Sequence, residues 1–417
     1  MQSSESLLDS TLSTPKPPQD STQDFHNWRW QMSNRLTSLE RLSEWLEDFE
    51  PTEAQQEVTK RYPFALTPYY ASLIQQPLED DPIFKMSVPQ AIEGEDAGVL
   101  FRDPLGEEAH SPVPGLLHRY PDRAVLLVNG LCPVYCRHCT RKRFVGVEVG
   151  TVRRQQLEQW VRYLRSHPEI KDVILSGGDP LTLSDRRLEE ILSAVRSVES
   201  VEIIRIGSRI PVLMPMRLTP ELCDILEAHQ PLWLVTHFNH PNEVSDLAME
   251  YCQGLQRRGI PINNQSVLLR GINDHPDIIE DLCRKLVRHH IRPYYLHQCD
   301  LVQGIEHLRT PLSRGLQIME ALRGRLGGLA IPQYVVELPE GGGKVPLSPN
   351  YVLSSSPEYT VIRNFEDRIV PYPEPKIREH RQPSGRLRGG ISDQLSGQNT
   401  APLLPQQYHK PKRWDEQ

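Results

Sequence analysis

From about residue 120 the sequence settles into one rhythm, and that rhythm limits the folds open to it. Apolar runs of five or six residues are "AVLLV" (124–128), "DVILS" (172–176), "VEIIRI" (201–206), "LWLVT" (232–236), "QSVLL" (265–269), "PYYLH" (293–297) and "QYVVE" (333–337). Between them lie longer amphipathic stretches at about 151–166, 185–198, 219–229, 242–258, 276–289 and 313–325. A helix between two strands carries the chain back across the sheet, so the next strand enters parallel to the last. Six or seven such units predict an α/β fold, a partial (β/α)6-type barrel, with a doubly wound open sheet as the rival. In a barrel, chemistry gathers at the C-terminal ends of the strands. The polar clusters fall there: a cysteine loop after the first strand, "SGGDP" after the second, "THFNHP" after the fourth and "HQCD" after the sixth.

The rest of the chain surrounds this core. Residues 1–24 are rich in Ser, Thr, Pro, Gln and Asp and read as a disordered tail. Residues 25–110 read as a helical region: Leu36, Leu39, Leu42, Leu46 and Phe49 recur at three- and four-residue steps, with Asn34 as an N-cap. A second helix is expected near Thr67–Ile74, with Pro68 in its first turn. Residues 111–376 hold the barrel and the lysine-bearing segment after it. Residues 377–417, with "RQPSGRLRGG", read as a flexible tail.

A net charge of −7 argues against nucleic acid or an anionic membrane as partner. The first residues lack the basic start and apolar run of a signal peptide, and no run reaches membrane-spanning length. Seven cysteines, three of them crowded, suit a reducing compartment and a metal or redox site. The expected location is cytoplasmic.

The crowded three lie in "GLCPVYCRHCTRKRFVG", at Cys132, Cys136 and Cys139. A structural zinc site normally takes four protein ligands, and the second pair is missing. An electron-transfer [4Fe–4S] cluster would need Cys223, Cys252, Cys283 or Cys299 as a fourth. The third reading is a cluster on three cysteines with one iron open to S-adenosylmethionine, and the barrel pattern favours it. "SGGDP" (Ser176, Gly177, Gly178, Asp179, Pro180) gives a backbone that can approach a ligand and an Asp that can hold an amine. Alone it would be read as a turn.

"ELPEGGGKVPL" places Lys344 after three glycines. The Walker spacing fails, and Val345 stands where Ser or Thr should be. By itself the stretch reads as a solvated lysine on a flexible loop; the functional alternative is the lysine that carries pyridoxal phosphate. Arg119 and Arg123 in "HRYPDRA" could hold the phosphate.

Together these stretches resemble the lysine 2,3-aminomutase family of radical enzymes. The likeness runs from "FALTPYYASLI" to "GGGKVPL" and takes in "HRYPDR", "CPVYCRHCTRKRFVG", "LSGGDPL", "IRIGSRIPV", "THFNHP", "NNQSVLLRGIND" and "RPYYLHQCDLVQGIEH", all in family order. It implies a partial radical S-adenosylmethionine barrel, a three-cysteine [4Fe–4S] cluster, S-adenosylmethionine as radical source and pyridoxal 5′-phosphate. The implied activity moves the amino group of a free cationic amino acid from Cα to Cβ, most simply L-lysine to β-lysine. Arginine, ornithine or a lysyl group of a translation factor are the alternatives, and a non-catalytic iron–sulfur redox protein is the reading from another class.

By position, Cys132, Cys136 and Cys139 resemble the cluster ligands and Lys344 the pyridoxal lysine. Arg141 resembles the clamp on the substrate carboxylate, and Asp300 and Glu337 the pair that takes the distal ammonium. His138, His237 and Gln265 lie in stretches lining the adenosylmethionine side. Lys142 and Arg143 read as solvated loop charge. Two departures stand out. The family's lysine enzymes resemble "VVDAPGGGGK", whereas Glu337 stands where that Asp would be. His275 occupies the place of a zinc-binding cysteine, and no cysteine follows Cys299, so no structural zinc is expected. The implied partners are an amino acid, a reducing protein such as flavodoxin or ferredoxin, and, with the family's subunit contacts in view, another copy of the chain as a homo-oligomer.

Overall fold

The computed structural model describes residues 22–375, apart from 47, 96, 97, 99, 147–149 and 151. The chain divides into two compact units, Met1–Pro349 and Asn350–Gln417. The first is built on a nine-stranded sheet: β1 (Leu116–Tyr120), β2 (Arg123–Asn129), β3 (Asp172–Gly177), β4 (Ile203–Gly207), β5 (Leu232–Thr236), β6 (Ile262–Leu268), β7 (Ile291–Gln298), β8 (Gln333–Leu338) and β9 (Gly343–Pro346). Strand order follows chain order from β1 to β9. Each neighbouring pair from β2 to β8 is parallel. β1 and β9 are antiparallel margins. A doubly wound sheet would reverse its order at a switch point. None occurs, so the sheet is a singly wound, open barrel.

Six crossover helices cover its outside: Arg154–Ser166, Asp185–Arg196, Pro220–Ala228, Asp246–Arg257, Pro276–Arg288 and Leu312–Leu322. Ser184, Thr219 and Ser245 cap three of them by accepting from the third residue on, and His275 caps a fourth by accepting from Asp277. The period of two then divides each strand. In β3, Val173 and Leu175 are buried in the same core as Leu157, Trp160, Leu188 and Ile191 of the helices. Ile174 and Ser176, pointing the other way, line the lumen. No helix among the described residues is long and apolar enough to cross a membrane.

Several local expectations need correction. Asn34 does not start a helix. It closes Trp28–Ser33, with its backbone N–H and side-chain amide both donating to the Trp30 carbonyl. The next helix is only Leu39–Ser43, capped by Ser38, because Leu36 is drawn into a bridge with Leu66. The five periodic apolar residues are nonetheless all buried. β6 begins at Ile262 rather than 265. Its polar start is satisfied from inside, since Asn264 accepts from Phe238 N–H and donates to Phe238 C=O. Neither margin strand belonged to the strand–helix pattern.

The second unit contains an antiparallel sheet of Val352–Ser355, Tyr359–Arg363 and Ile369–Pro373, also outside that pattern. The tail expected at 377–417, and all but the last three residues of the one at 1–24, lie outside the described residues.

Candidate active site

The loop after β2 carries the three cysteines, and its first residues are zipped to the end of β3. Gly178 N–H donates to Asn129 C=O at 2.7 Å and Asp179 N–H to Leu131 C=O at 2.8 Å. A Cβ on Gly177, whose φ is +122°, would stand 2.4 Å from Asn129 O, and one on Gly178 would stand 2.4 Å from Leu131 O. The loop's own backbone thus requires both glycines, and both also line the cavity described next. Asp179 is taken up by the fold as well. Its carboxylate accepts from Ser208 Oγ (2.7 Å), Leu181 N (3.1 Å) and Arg209 N (2.7 Å). Burial pushes its pKa up to about 6 against those bonds.

The basic residues of the loop are sorted by two buried carboxylates. Glu93 takes Arg137 (Nη2, 2.6 Å) and Lys142 (Nζ, 2.8 Å). Glu107 takes Arg141 (Nη2, 2.8 Å) and Arg143 (Nη2, 2.8 Å). Burial alone would raise both carboxyls; the paired cations hold them below the usual range. Lys142 and Arg143 are therefore not solvated loop charge, as their side chains are only 5 % and 9 % exposed. A further cation comes from β4's end: Arg209 donates to Cys136 Sγ at 2.7 Å and is itself held by Glu243 and the His237 carbonyl.

These elements enclose a cavity of about 390 Å³. Cys132, Cys136 and Cys139 line it with His138, Ser176, Gly177, Gly178, Asp179, His237 and Gln265. Arg141, Asp300, Glu337 and Lys344 complete the wall. An adjoining cavity of about 330 Å³ adds Arg119, Arg123, Tyr120 and Tyr295, and both share Arg141, Arg205, Gln265, Glu337 and Lys344. The residues that the sequence assigned to cluster, cofactors and substrate thus all line these two adjoining cavities. Burial, then Arg209, keeps His237 at about 4, and burial also holds His138 and His297 well below the usual histidine range, so all three are neutral at pH 7.

Lys344 lies on β9, in register with Glu337 on β8. It is held in a strand, not on a flexible loop. Its Nζ is 3.0 Å from Glu337 Oε1 and 4.7 Å from the Tyr295 ring centre. Its N–H donates to Tyr120 Oη at 2.8 Å. Arg119 reaches Gly341 C=O (3.1 Å) and Glu337 Oε2 (3.5 Å). Asp300 is pushed up to about 7 by burial and then by Glu337, with Lys344 opposing.

The donor sets fit the cofactors that the sequence suggests. Three thiols face one cavity, whereas Cys223, Cys252, Cys283 and Cys299 are buried and do not line it. Among the described residues no three His, Cys, Asp or Glu side chains gather as a single metal ion would require. Burial, with Asp179 and the neighbouring thiols, raises Cys132, and burial with Cys136 brings Cys139 to about 11. Bound metal would have to displace those protons. In the smaller cavity, Lys344 shares the walls with the guanidiniums of Arg119, Arg123 and Arg205 and with aromatic faces. Arg123 Nε is buried there without a hydrogen bond and has only a 3.5 Å ion contact to Asp122 Oδ1. A planar, phosphate-bearing aldehyde fits such a set.

Sequence reasoning passed over Glu93, which lies in the short 3-10 helix Ala91–Gly94 and forms a capping box with Gln90, and Glu107, which sits in a turn with no periodic or motif signal. It also gave no role to Arg205 or Arg209. Their signal was available, because both fall in the quoted "IRIGSRIPV" at a strand end.

Comparison with known proteins gives the family. The family model described as "Radical SAM superfamily" matches residues 126–282, and the one described as "Lysine-2,3-aminomutase" matches residues 319–412. L-lysine 2,3-aminomutase of Clostridium subterminale is 47 % identical over 353 residues, 84 % of this chain and 85 % of its own. That of Fusobacterium nucleatum subsp. nucleatum is 46 % identical over 375 residues, 89 % of this chain and 88 % of its own. Glutamate 2,3-aminomutase of Clostridioides difficile is 40 % identical over 349 residues, 84 % of this chain and 82 % of its own. A radical S-adenosylmethionine barrel implies a [4Fe–4S] cluster and S-adenosylmethionine, and identity of this extent carries the isomerase chemistry with it. The chain belongs to the lysine 2,3-aminomutase family of radical S-adenosylmethionine isomerases.

Proposed function

We propose that the protein converts L-lysine to β-lysine, moving the amino group from Cα to Cβ. The observation that carries this reading is the acidic pair Asp300 and Glu337 on the cavity wall, with Arg141 on the same cavity. Two carboxylates attract a cationic side chain and repel an anionic one, which separates lysine from glutamate. Arg141 takes the α-carboxylate. Glu337, which here neutralises Lys344, is offered a second ammonium by a lysine side chain.

Cys132, Cys136 and Cys139 would hold the cluster. His138, Ser176, Gly177, Gly178, Asp179, His237 and Gln265 would line the adenosylmethionine side. Lys344 would hold pyridoxal phosphate, with Arg119 and Arg123 facing its phosphate. When bound, these groups supply hydrogen-atom abstraction and a π-system for the amino group in transit. The chain's own part is placement: it fixes both ends of the amino acid and keeps the histidines neutral. The same reading calls for a reducing protein as electron donor and a cytoplasmic setting for seven unpaired thiols.

The test is anaerobic reconstitution followed by mass spectrometry of single amino acids. β-Lysine is expected as the main product. Turnover of glutamate, arginine or ornithine with lysine left unchanged would sink the substrate assignment.

A further inference from the structure

Arg141 does not stand free in the cavity wall. Its Nε is 2.9 Å from Glu107 Oε1, and Nη2 is 2.8 Å from the same oxygen. One edge of the guanidinium is therefore closed. Nη1 alone is turned elsewhere, donating to Ser176 Oγ at 2.9 Å. The serine hydroxyl accepts that bond and keeps its own proton to donate. Glu107 is fixed in turn by Arg143, which also reaches Asp103 at 3.4 Å. The turn that bears it is tied down locally: Gly106 N–H donates to Asp103 C=O, and His110 Nδ1 meets Gly106 C=O at 2.7 Å. It is also tied to the hairpin leading to Lys344, since Glu340 N–H donates to Pro104 C=O at 3.2 Å.

We propose that Glu107 is a positioning residue: by closing one edge of Arg141 it leaves Nη1, beside the Ser176 hydroxyl, as the pair that reads the substrate's α-carboxylate. This rests on the assignment of Arg141 to that carboxylate made above. The physical reason is entropic as well as electrostatic. An arginine side chain has many rotamers to lose, and a free guanidinium could meet a carboxylate in several geometries. Glu107 selects one. Because its turn is bonded to the Lys344 hairpin through Glu340 N–H and Pro104 C=O, the same strap ties the carboxylate clamp to the amino-group end of the site.

The test is a mutant cycle on the loaded enzyme: E107Q, R141Q and the double variant, with E107D as the conservative replacement. Iron and pyridoxal content are measured by absorbance, lysine binding at equilibrium, and KM and kcat by product formation. E107Q is expected to weaken lysine binding and raise KM about tenfold, the size of one charge-assisted hydrogen bond, while kcat falls much less. Added to R141Q it should do nothing further, because it acts through Arg141. E107D should recover part of the loss, and it carries the test if E107Q loads poorly. Unchanged lysine binding in E107Q, or effects that add fully in the double variant, would overturn the proposal. If R141Q itself leaves lysine binding unchanged, the Arg141 assignment fails first and the failure is traceable to it.

Discussion

At the scale of single residues, the site depends on which charges are free and which are already answered. Asp179 is answered by Ser208 and two backbone amides, and Arg209 by Glu243 and Cys136. Asp300 is different: burial and Glu337 lift it to about 7. Below that pH it is protonated and neutral; above it the carboxylate is available to an ammonium. A bound lysine side chain stabilises the charged form, so binding releases a proton below about 7. Lysine affinity is expected to rise between pH 6 and 8 and then level off. Measurement of KM or equilibrium binding across that range checks this, and D300N should flatten the profile while weakening binding. A profile in D300N identical to that of the parent would assign the titration elsewhere. Residues of this kind were legible because chemistry ties them to motifs: three close cysteines, a lysine after glycines, an Asp after a strand. Glu107 was not. A lone acid in a turn carries no signal until its partners are folded against it.

At the scale of elements, the cysteine loop behaves as a built part rather than a flexible insertion. Backbone bonds from Gly178 and Asp179 hold its start, and Gly146 N–H returns to Gly130 C=O at 3.0 Å to close it. Glu93, itself 1 % exposed, clamps Arg137 and Lys142 from the N-terminal region. Removing that charge would leave two buried cations without their anion. E93Q is expected to lose about 3–5 kcal/mol of stability and to take up less iron. Chemical denaturation and iron content check it; a loss under about 1 kcal/mol would mean that the triad holds the loop less firmly than its burial implies. The strands and crossover helices were legible because apolar periodicity reports burial directly. The exceptions have local causes. Asn264 gives β6 a polar start that only its bonds to Phe238 make tolerable. Ser38 outcompetes Asn34 because a bridge between Leu36 and Leu66 fixes the chain between them.

At the scale of the first unit, β1 and β9 decide how the open barrel is finished. They are the two margins of one sheet and are not paired with each other. Side chains span the gap instead. Tyr120 Oη accepts the Lys344 N–H, Arg119 donates to Gly341 C=O, and Arg119 Nη2 faces Glu337. The seam therefore holds the lysine strand in place. Y120F is expected to cost about 1 kcal/mol locally and to speed hydrogen exchange at the Lys344 amide several-fold, with little change in the parallel strands. Equal protection in both proteins would show that the hairpin is held by β8 alone.

The sequence by itself determined the parallel order of the strands, the outer layer of helices, the three-thiol loop and the membership of Lys344, Arg141, Asp300 and Glu337 in one site. The strands and helices follow from periodicity and connection length and the thiol loop from its residue types, whereas the grouping of Lys344, Arg141, Asp300 and Glu337 follows from the resemblance of their motifs to a known family. Only the tertiary structure decided which charges those residues face: Lys344 against Glu337, Arg141 against Glu107, Lys142 and Arg137 against Glu93. The reason is physical. Periodicity records whether a residue is buried, but an ion pair depends on distance: Glu107 and Arg141 are 34 residues apart and Glu93 and Lys142 are 49 apart, and even Glu337 and Lys344 meet only because β8 and β9 pair.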